Sequence, residues 1–255
     1  MRVITVNVCG IRSAAAKGLF RWLRRQAADF VCLQETRSQE HQLGAHDVEL
    51  PGYHAFFSDA QKKGYAGVAL YSRMKPDRVL RGFGVDEFDR EGRYLEAQVG
   101  KLAVVSLYMP SGSAGPHRQA SKLRFLEAFT AHLAALRRRR RHYIISGDWN
   151  IAHRPIDLRN WRSNQRNSGF LPEERAWMDE LFGRGGYVDA FREVRPGPDL
   201  YPWWSNRGQA RANNVGWRID YQVVSAALAG KARRAAIYTR QRFSDHAPLT
   251  MDYDL

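Results

Sequence analysis

Cys9 and Cys32 are the only cysteines in 255 residues. They stand in neither a Cys-x-x-Cys pair nor a Cys/His spacing suited to zinc, so neither a disulfide framework nor a thiolate metal site is indicated. Reduced thiols fit a cytoplasmic setting. Long apolar runs are missing as well. No stretch approaches the roughly 20 apolar residues of a membrane span. The alternation of Val3–Val8 begins too early to leave room for a cleavable signal peptide. Gly82-Phe83-Gly84 lacks the remaining glycines of a nucleotide-binding fingerprint, which argues against a P-loop or dinucleotide site. Acidic residues are few: 26 Asp and Glu face 40 Lys and Arg, a net charge of +14. That field favours a polyanionic partner, nucleic acid first and an anionic membrane surface second.

What is present describes a large core: 44% of the residues are hydrophobic. No internal repeat, linker or shift of composition divides residues 1–255, which are expected to form one catalytic domain. Periodicity predicts strands over Val3–Val8, Phe30–Gln34, Ala66–Tyr71, Arg78–Phe83, Tyr94–Val99, Leu102–Tyr108, Tyr143–Ser146, Arg218–Val224, Ala236–Thr239 and Ala247–Asp252. Helices are predicted over Lys17–Ala28, Gln119 to about Arg138, and Pro172–Phe182, the last with Pro near its first turn and Glu173 and Glu174 facing the helix dipole. The economical reading is α+β: two packed, mainly antiparallel β-sheets with helices over their outer faces. Long loops at Pro110–His117, Ile151–Phe170 and Tyr201–Trp217 are where function is expected.

Gly147-Asp148-Trp149-Asn150, directly behind the apolar run Tyr143–Ser146, sets a carboxylate and a carboxamide one strand period apart where a buried strand opens into a loop. A general base and the amide that orients its water need that arrangement, although Gly-Asp-x-Asn is also ordinary turn chemistry. Other strands end in comparable groups. Asn7 closes the first strand, Glu35 follows the second, and Tyr108 ends Leu102–Tyr108. Asp220 lies in Arg218–Val224, and Asp245-His246 precedes the last strand. Each alone has a structural explanation; their occurrence together in this order does not.

The set Leu33-Gln34-Glu35-Thr36, Tyr108-x-Pro110, Gly147-Asp148-x-Asn150, Asn214-Val215-Gly216-Trp217-Arg218-Ile219-Asp220-Tyr221 and Ser244-Asp245-His246 resembles the exonuclease III branch of the endonuclease/exonuclease/phosphatase superfamily. Ile156-Asp157-Leu158-Arg159-Asn160, Asn164, Asn167, Gly169-Phe170 and Pro172-Glu173-Glu174-Arg175 add to the likeness. The resemblance spans Asn7 to Pro248 and implies a four-layer α/β-sandwich with the strand-end residues converging at one edge.

It also implies roles. Glu35, Asn7 and Asp245 would hold Mg²⁺, with Mn²⁺ as a substitute and Asp148 and Asn150 as further donors; a hard dication with oxygen ligands suits phosphodiester hydrolysis. Asp148 would be the general base or position the nucleophile, and Asn150 would orient the water or a phosphate oxygen. His246 would donate to a non-bridging oxygen, with Asp220 holding its other ring nitrogen. Tyr108 would hydrogen-bond the phosphate or assist the leaving group. Many relatives carry Asp or Asn where this chain has Cys9, a poor Mg²⁺ ligand, which predicts a higher metal requirement.

Trp203, Trp217 and Ile219 match positions where relatives wall a pocket for a base-free sugar, a flipped nucleotide being too large; Trp204 could equally be core. Arg207 sits where relatives wedge the duplex, and Arg12, Lys17, Asn164, Asn167, Asn213 and Asn214 are candidate DNA-backbone contacts. Arg137–Arg141 reads as a solvated helix end. The expected function is a Mg²⁺-dependent DNA repair nuclease that cuts 5′ to abasic sites in duplex DNA, with 3′-phosphatase and 3′→5′ exonuclease activity. The alternatives are a 3′-end specialist with little abasic incision and, less favoured, an inactive DNA-binding module. A monomer is expected.

Overall fold

The computed structural model describes residues 1–44 and 48–255. In chain order its strands are β1 (Arg2–Asn7), β2 (Phe30–Gln34), β3 (His54–Ser58), β4 (Val68–Ser72), β5 (Arg78–Arg81), β6 (Tyr94–Val99) and β7 (Leu102–Tyr108). These are followed by β8 (His142–Asp148), β9 (Tyr187–Asp189), β10 (Trp203–Trp204), β11 (Gly216–Trp217), β12 (Asp220–Ser225), β13 (Ala232–Ile237) and β14 (Leu249–Tyr253). The helices are α1 (Ile11–Ala16), α2 (Leu19–Leu23), α3 (Asp86–Asp89), α4 (Pro116–Arg137), α5 (Trp161–Asn164), α6 (Pro172–Phe182) and α7 (Ala190–Val194).

Strand alternation decides the layering. Val3, Phe30, Cys32, Val68 and Leu70 point inward and meet Leu95, Ala97, Val104, Ile144 and Val224 of the facing sheet in one buried cluster. The intervening residues point outward: Ile4, Val6, Val31 and Leu33 pack on Ile11, Leu19, Phe20 and Leu23 of α1 and α2. On the other side, Val105, Leu107, Ile145 and Val223 pack on Phe125, Phe129 and Leu133 of α4 and Met178 and Leu181 of α6. Both faces of the central strands are therefore covered, and those strands are near-continuous apolar runs. The result is helix–sheet–sheet–helix, the four-layer sandwich expected.

Among the described residues each large sheet has six strands, in the orders β13-β14-β1-β2-β4-β3 and β5-β6-β7-β8-β12-β9. Neighbours pair antiparallel except β1 with β2 and β7 with β8, the central pair of each sheet. The parallel pairs carry their C-terminal ends to the same edge. There the inter-sheet layer turns polar: Thr5 Oγ1 donates to Gln34 Oε1 at 3.1 Å, and Gln34 Nε2 to Ser106 Oγ at 3.0 Å.

The differences from the sequence reading have local causes. The helix expected over Lys17–Ala28 shrinks to α2, Leu19–Leu23, and the unexpected α1 precedes it, the two being parted at Gly18, whose φ of +90° is left-handed. Strands β3 and β13 are sheet edges with exposed residues such as His54, Arg233 and Arg234, which hide the alternation. Helix α4 starts earlier than expected, with Pro116 at its first position, where a missing N–H costs nothing. Arg137–Arg141 runs from the exposed end of α4 to the start of β8, about 20 Å or more from Asp148 at ~3.3 Å per residue. Among the described residues, no helix is long and apolar enough to cross a membrane.

One buried ion cluster ties the loop after β8 to β12. Arg218 donates through Nε to Asp157 Oδ1 and through Nη2 to Asp189 Oδ2, each at 2.7 Å, and Arg192 joins it on Asp157. Burial pushes the Asp157 carboxyl up, but the guanidinium groups of Arg218 and Arg192 outweigh it and hold it down at about 2. A depressed folded-state value means the stabilisation is complete above about pH 4 and is lost as pH falls through 2. Asp157→Asn should therefore lose about 3 kcal/mol at neutral pH, and urea unfolding should show the gap to wild type narrowing steadily below about pH 4.

Candidate active site

Sheet register assembles the site before any side chain is considered. Tyr108 pairs with Asp148 across β7 and β8, Asp220 pairs with Asp148 across β12 and β8, and Asn7 pairs with Gln34 across β1 and β2. Gly147 is required by close approach, since a Cβ there would run into the Leu107 carbonyl of the neighbouring strand. Just beyond the strand ends, Glu35 (φ +51°) and Asn150 (φ +51°) adopt left-handed backbone, as do Cys9 and Arg37. These conformations are costly for residues with a Cβ and cluster at functional sites. Here they turn four cavity-lining side chains out of the strand repeat.

The fully buried Asn7 joins the two sheets. Its Nδ2 donates to Glu35 Oε1 at 2.7 Å and to Asp148 Oδ2 at 2.9 Å, and its Oδ1 accepts the Cys9 N–H at 3.0 Å. Asp148 is 1% exposed. Its second oxygen accepts the Asn150 N–H at 2.9 Å. The Asn150 side chain donates to the Met109 carbonyl at 2.9 Å, so its amide nitrogen is already engaged. Ser244 Oγ donates to the Asn7 carbonyl at 2.6 Å and receives the His246 N–H, locking the last loop to β1.

His246 is buried, with Nδ1 2.8 Å from Asp220 Oδ2 and Nε2 3.9 Å from Asp148 Oδ2. Burial alone would strip the ring of its proton, but the facing Asp220, aided by Asp148 and Asp245, raises it to about 10. Asp148 is raised as well, above an ordinary carboxylate: burial lifts it, His246 partly offsets this, Asp220 adds to the rise and the Asn7 hydrogen bond lowers it again. The pair is one coupled unit in which a cationic ring faces a carboxylate that is reluctant to ionise.

Donor atoms of Asp148, Asp220 and His246 lie within 4.8 Å of one another, close enough for a metal ion. A ring with protons on both nitrogens has no lone pair to offer, however. The alternative wall suits a hard cation better, because Glu35 and Asp245 both line the cavity beside Cys9. Glu35 Oε2 accepts Arg37 Nε at 2.9 Å, and Asp245 Oδ2 accepts Trp203 Nε1 at 3.1 Å. Each keeps lone pairs for a ligand. Burial pushes the Cys9 thiol up to about 11, with Asp245 and Glu35 adding to it. It faces this wall as a neutral group.

The opening is a cavity of about 800 Å³ lined by Glu35, Tyr108, Asp148, Asn150, Asp245 and His246 on its polar side. Trp203, Trp217 and Ile219 form the apolar side, the two indoles edge to face with centroids 6.2 Å apart across the β10–β11 ribbon. Ile219 packs with Leu158 and Phe170 behind them. Arg207 and Asn167 stand at the rim. Asn164 is not among the lining residues; it accepts from Asn167 Nδ2 at 2.7 Å and so holds the rim residue. Arg12, Lys17 and Asn213 are exposed outside the cavity.

Asn214 differs from its expected placement. Its side chain accepts from Trp204 Nε1 at 3.0 Å and donates to the Asp199 carbonyl at 3.1 Å, so its polar atoms bind protein rather than open space. Trp204 is 4% exposed and belongs to the core. Sequence reasoning expected function in the loops that hold Arg166 and Ser111–Ser113 but named neither as site residues, nor Arg37, nor Lys122. The first three line the cavity, and Lys122 Nζ donates to the Asn150 carbonyl at 2.8 Å. Arg37 carried a signal of its own, standing one strand period beyond Glu35; Lys122 carried none.

A model described as the endonuclease/exonuclease/phosphatase family matches residues 4–246. The chain is 38% identical over 253 residues to the exodeoxyribonuclease of Bacillus subtilis (strain 168), covering 98% of each. The structure of an AP endonuclease from Archaeoglobus fulgidus superposes with a TM-score of 0.91 at 27% identity, covering 100% of both chains. The 3′ phosphatase NExo from Neisseria, bound to a product DNA hairpin, superposes with a TM-score of 0.90 at 26% identity, again covering 100% of both.

The balance at His246 can be read directly. In Asp220→Asn the burial that disfavours the imidazolium loses its main opponent. Ring NMR signals of the metal-free variant should show His246 neutral at pH 8, while wild type remains protonated there.

Proposed function

The chain belongs to the endonuclease/exonuclease/phosphatase family and is a metal-dependent nuclease of the DNA-repair type, and we propose that it hydrolyses the phosphodiester 5′ to abasic sites in duplex DNA. The reading extends to 3′-phosphatase and 3′→5′ exonuclease activity in the same cavity, and to a monomer working in the cytoplasm. One observation carries it. Asp148 and His246 Nε2 face each other at 3.9 Å without a hydrogen bond, at the floor of a cavity whose other side is two tryptophans and an isoleucine. A carboxylate that keeps lone pairs beyond its two hydrogen bonds and a cationic donor, beside an apolar slot, suit attack on a phosphate next to a base-free sugar.

Glu35, Asp245 and the Asn7 carboxamide oxygen would hold Mg²⁺, which when bound neutralises phosphate charge and stabilises the departing oxygen. The remaining roles belong to the chain. Asp148, held on both oxygens by Asn7 Nδ2 and the Asn150 N–H, accepts the proton of the attacking water. A carboxylate lifted by burial toward neutral pH is a more effective base than an exposed one. His246 donates its Nε2 proton to a non-bridging oxygen, and Asp220 keeps the ring charged and oriented. Tyr108 is a neutral phenol, since burial and then the Glu35 carboxylate hold its pKa far above neutral. It acts as a hydrogen-bond donor to the phosphate.

Asn150 Oδ1 orients the water, its nitrogen being engaged. Trp203, Trp217 and Ile219 select the base-free sugar by excluding larger groups. Arg207 and Asn167 meet the DNA at the rim, and Arg12, Lys17 and Asn213 provide outer phosphate contacts. The net charge of +14 supports a DNA partner, with affinity falling steeply as salt rises. The likeness to the Neisseria 3′ phosphatase keeps a 3′-end specialist as the second reading, because both readings use the same chemistry and differ only in the pocket.

Purified protein given duplexes with a single tetrahydrofuran site, a 3′-phosphate nick or a recessed 3′ end, with Mg²⁺ and with EDTA, separates these readings. Turnover at the tetrahydrofuran site is expected; turnover only at 3′ ends would favour the specialist, and binding without turnover the inactive module. Asp148→Asn should abolish turnover and leave DNA binding intact in a mobility-shift assay. Cys9→Asp adds a hard oxygen ligand beside Glu35 and Asp245, so half-maximal activity should come at a lower Mg²⁺ concentration than in wild type. Equal requirements would remove Cys9 as the cause.

A further inference from the structure

Lys122 on α4 and Glu174 on α6 have no exposed side-chain surface, and their charges meet at 2.6 Å. Burial of this kind is not self-explanatory. The desolvation of two ions can cancel their attraction, and an apolar pair of similar volume often serves stability as well or better. Their other partners supply a reason. Lys122 Nζ donates to the Asn150 carbonyl at 2.8 Å, and the Asn150 N–H in turn donates to Asp148 Oδ1 at 2.9 Å. Asn150 is left-handed, a conformation that external partners must hold.

On the other side, Glu174 Oε2 accepts the backbone N–H groups of Gly169 at 2.7 Å and Leu171 at 3.0 Å, and Oε1 accepts Gln119 Nε2 at 3.1 Å. Gly169 lies directly under the pocket wall, since a Cβ there would come within 3.2 Å of the Trp217 ring. The chain of contacts thus runs from the Asp148 carboxylate through Asn150, Lys122, Glu174 and Gly169 to Trp217. An apolar pair could fill the same space, but it could not fix a carbonyl on one side and two N–H groups on the other.

We propose that Lys122 and Glu174 are a positioning pair that sets the spacing between the Asp148 carboxylate and the Trp217 wall, so that water is delivered in line only to a phosphate whose sugar is seated in the pocket. Neither residue touches substrate. The inference rests on the function proposed above.

The test uses wild type, Lys122→Met, Glu174→Gln and the double variant Lys122→Met/Glu174→Leu. Each is assayed on a tetrahydrofuran duplex at saturating Mg²⁺, well below its unfolding midpoint, with thermal unfolding followed in parallel. Lys122→Met leaves a buried carboxylate unpaired and should unfold at lower temperature; the double variant removes both charges and should recover much of that loss. Stability and rate should then part company. The double variant's kcat should remain down on the order of 100-fold, the effect of a misplaced reacting group, with KM changed far less.

A kcat for the double variant within about twofold of wild type, or kcat rising with the midpoint across the series, would reduce the pair to a structural role and overturn the proposal. So would a rise in KM at unchanged kcat. If the double variant fails to fold, Glu174→Gln carries the test. It keeps an acceptor oxygen for the loop but not the ionic grip on Lys122, and the same loss of kcat is expected. Absence of turnover by wild type would instead overturn the function proposed above.

Discussion

The bridge made by Asn7 is the constraint on which the site depends. One fully buried carboxamide nitrogen serves two carboxylates, Glu35 on its own sheet and Asp148 on the facing one. Without a donor between them, two buried negative groups would repel and one would take up a proton. With it, the acidic groups stand close and the sheets are registered at the edge where the strands end. A neutral donor is essential here. A lysine would cancel a charge that the metal side needs, and a hydrophobic residue would leave both acids uncompensated.

Around that bridge the site divides into three electrostatic zones. Asp220 and His246 form a buried cationic donor, Glu35 and Asp245 an anionic wall for a cation, and the Trp203–Trp217 ribbon an uncharged slot. The zones are kept apart by prior commitments of their atoms. Asp220 is occupied by the imidazole, Asp245 is partly held by an indole N–H, and Arg37 shields one oxygen of Glu35. The buried ion groups, Asp157–Arg218–Asp189 and Lys122–Glu174, lie one layer out and fix loops that carry no regular structure of their own.

Much of this was legible in the sequence where the information is local. A strand that ends in a polar residue marks a candidate reacting group, so Asn7, Glu35, Tyr108 and Asp148 stood out from alternation, whereas their gathering with Asp220 at one edge was implied only by the family resemblance. Three kinds of feature were hidden. Contacts between sheets, such as Asn7 to Asp148 across 141 residues of sequence, leave no periodic trace. Lys122 and Glu174 look like ordinary helix-surface charges until the helices are brought together, 52 residues apart. Asn214 sits inside a recognisable motif, yet its amide is used to hold Trp204 and the Asp199 carbonyl. A motif fixes which residues gather; it does not fix which way each atom points.

The two large sheets share one strand pattern, two antiparallel pairings, a parallel pair, then two antiparallel pairings again. Asn7 and Asp148 end central strands that face each other across the layer, β1 and β8, so the frame is nearly symmetric while its chemistry is not. Mechanically, the chain behaves like a pair of tweezers whose tips are the amide and the acid. Their grip is set by the angle between two stiff plates rather than by any loop. Loops that shape the pocket can therefore lengthen, shorten or change sequence without altering the distance between the tips, whereas a change of side-chain volume deep between the sheets, far from any substrate, would open or close them.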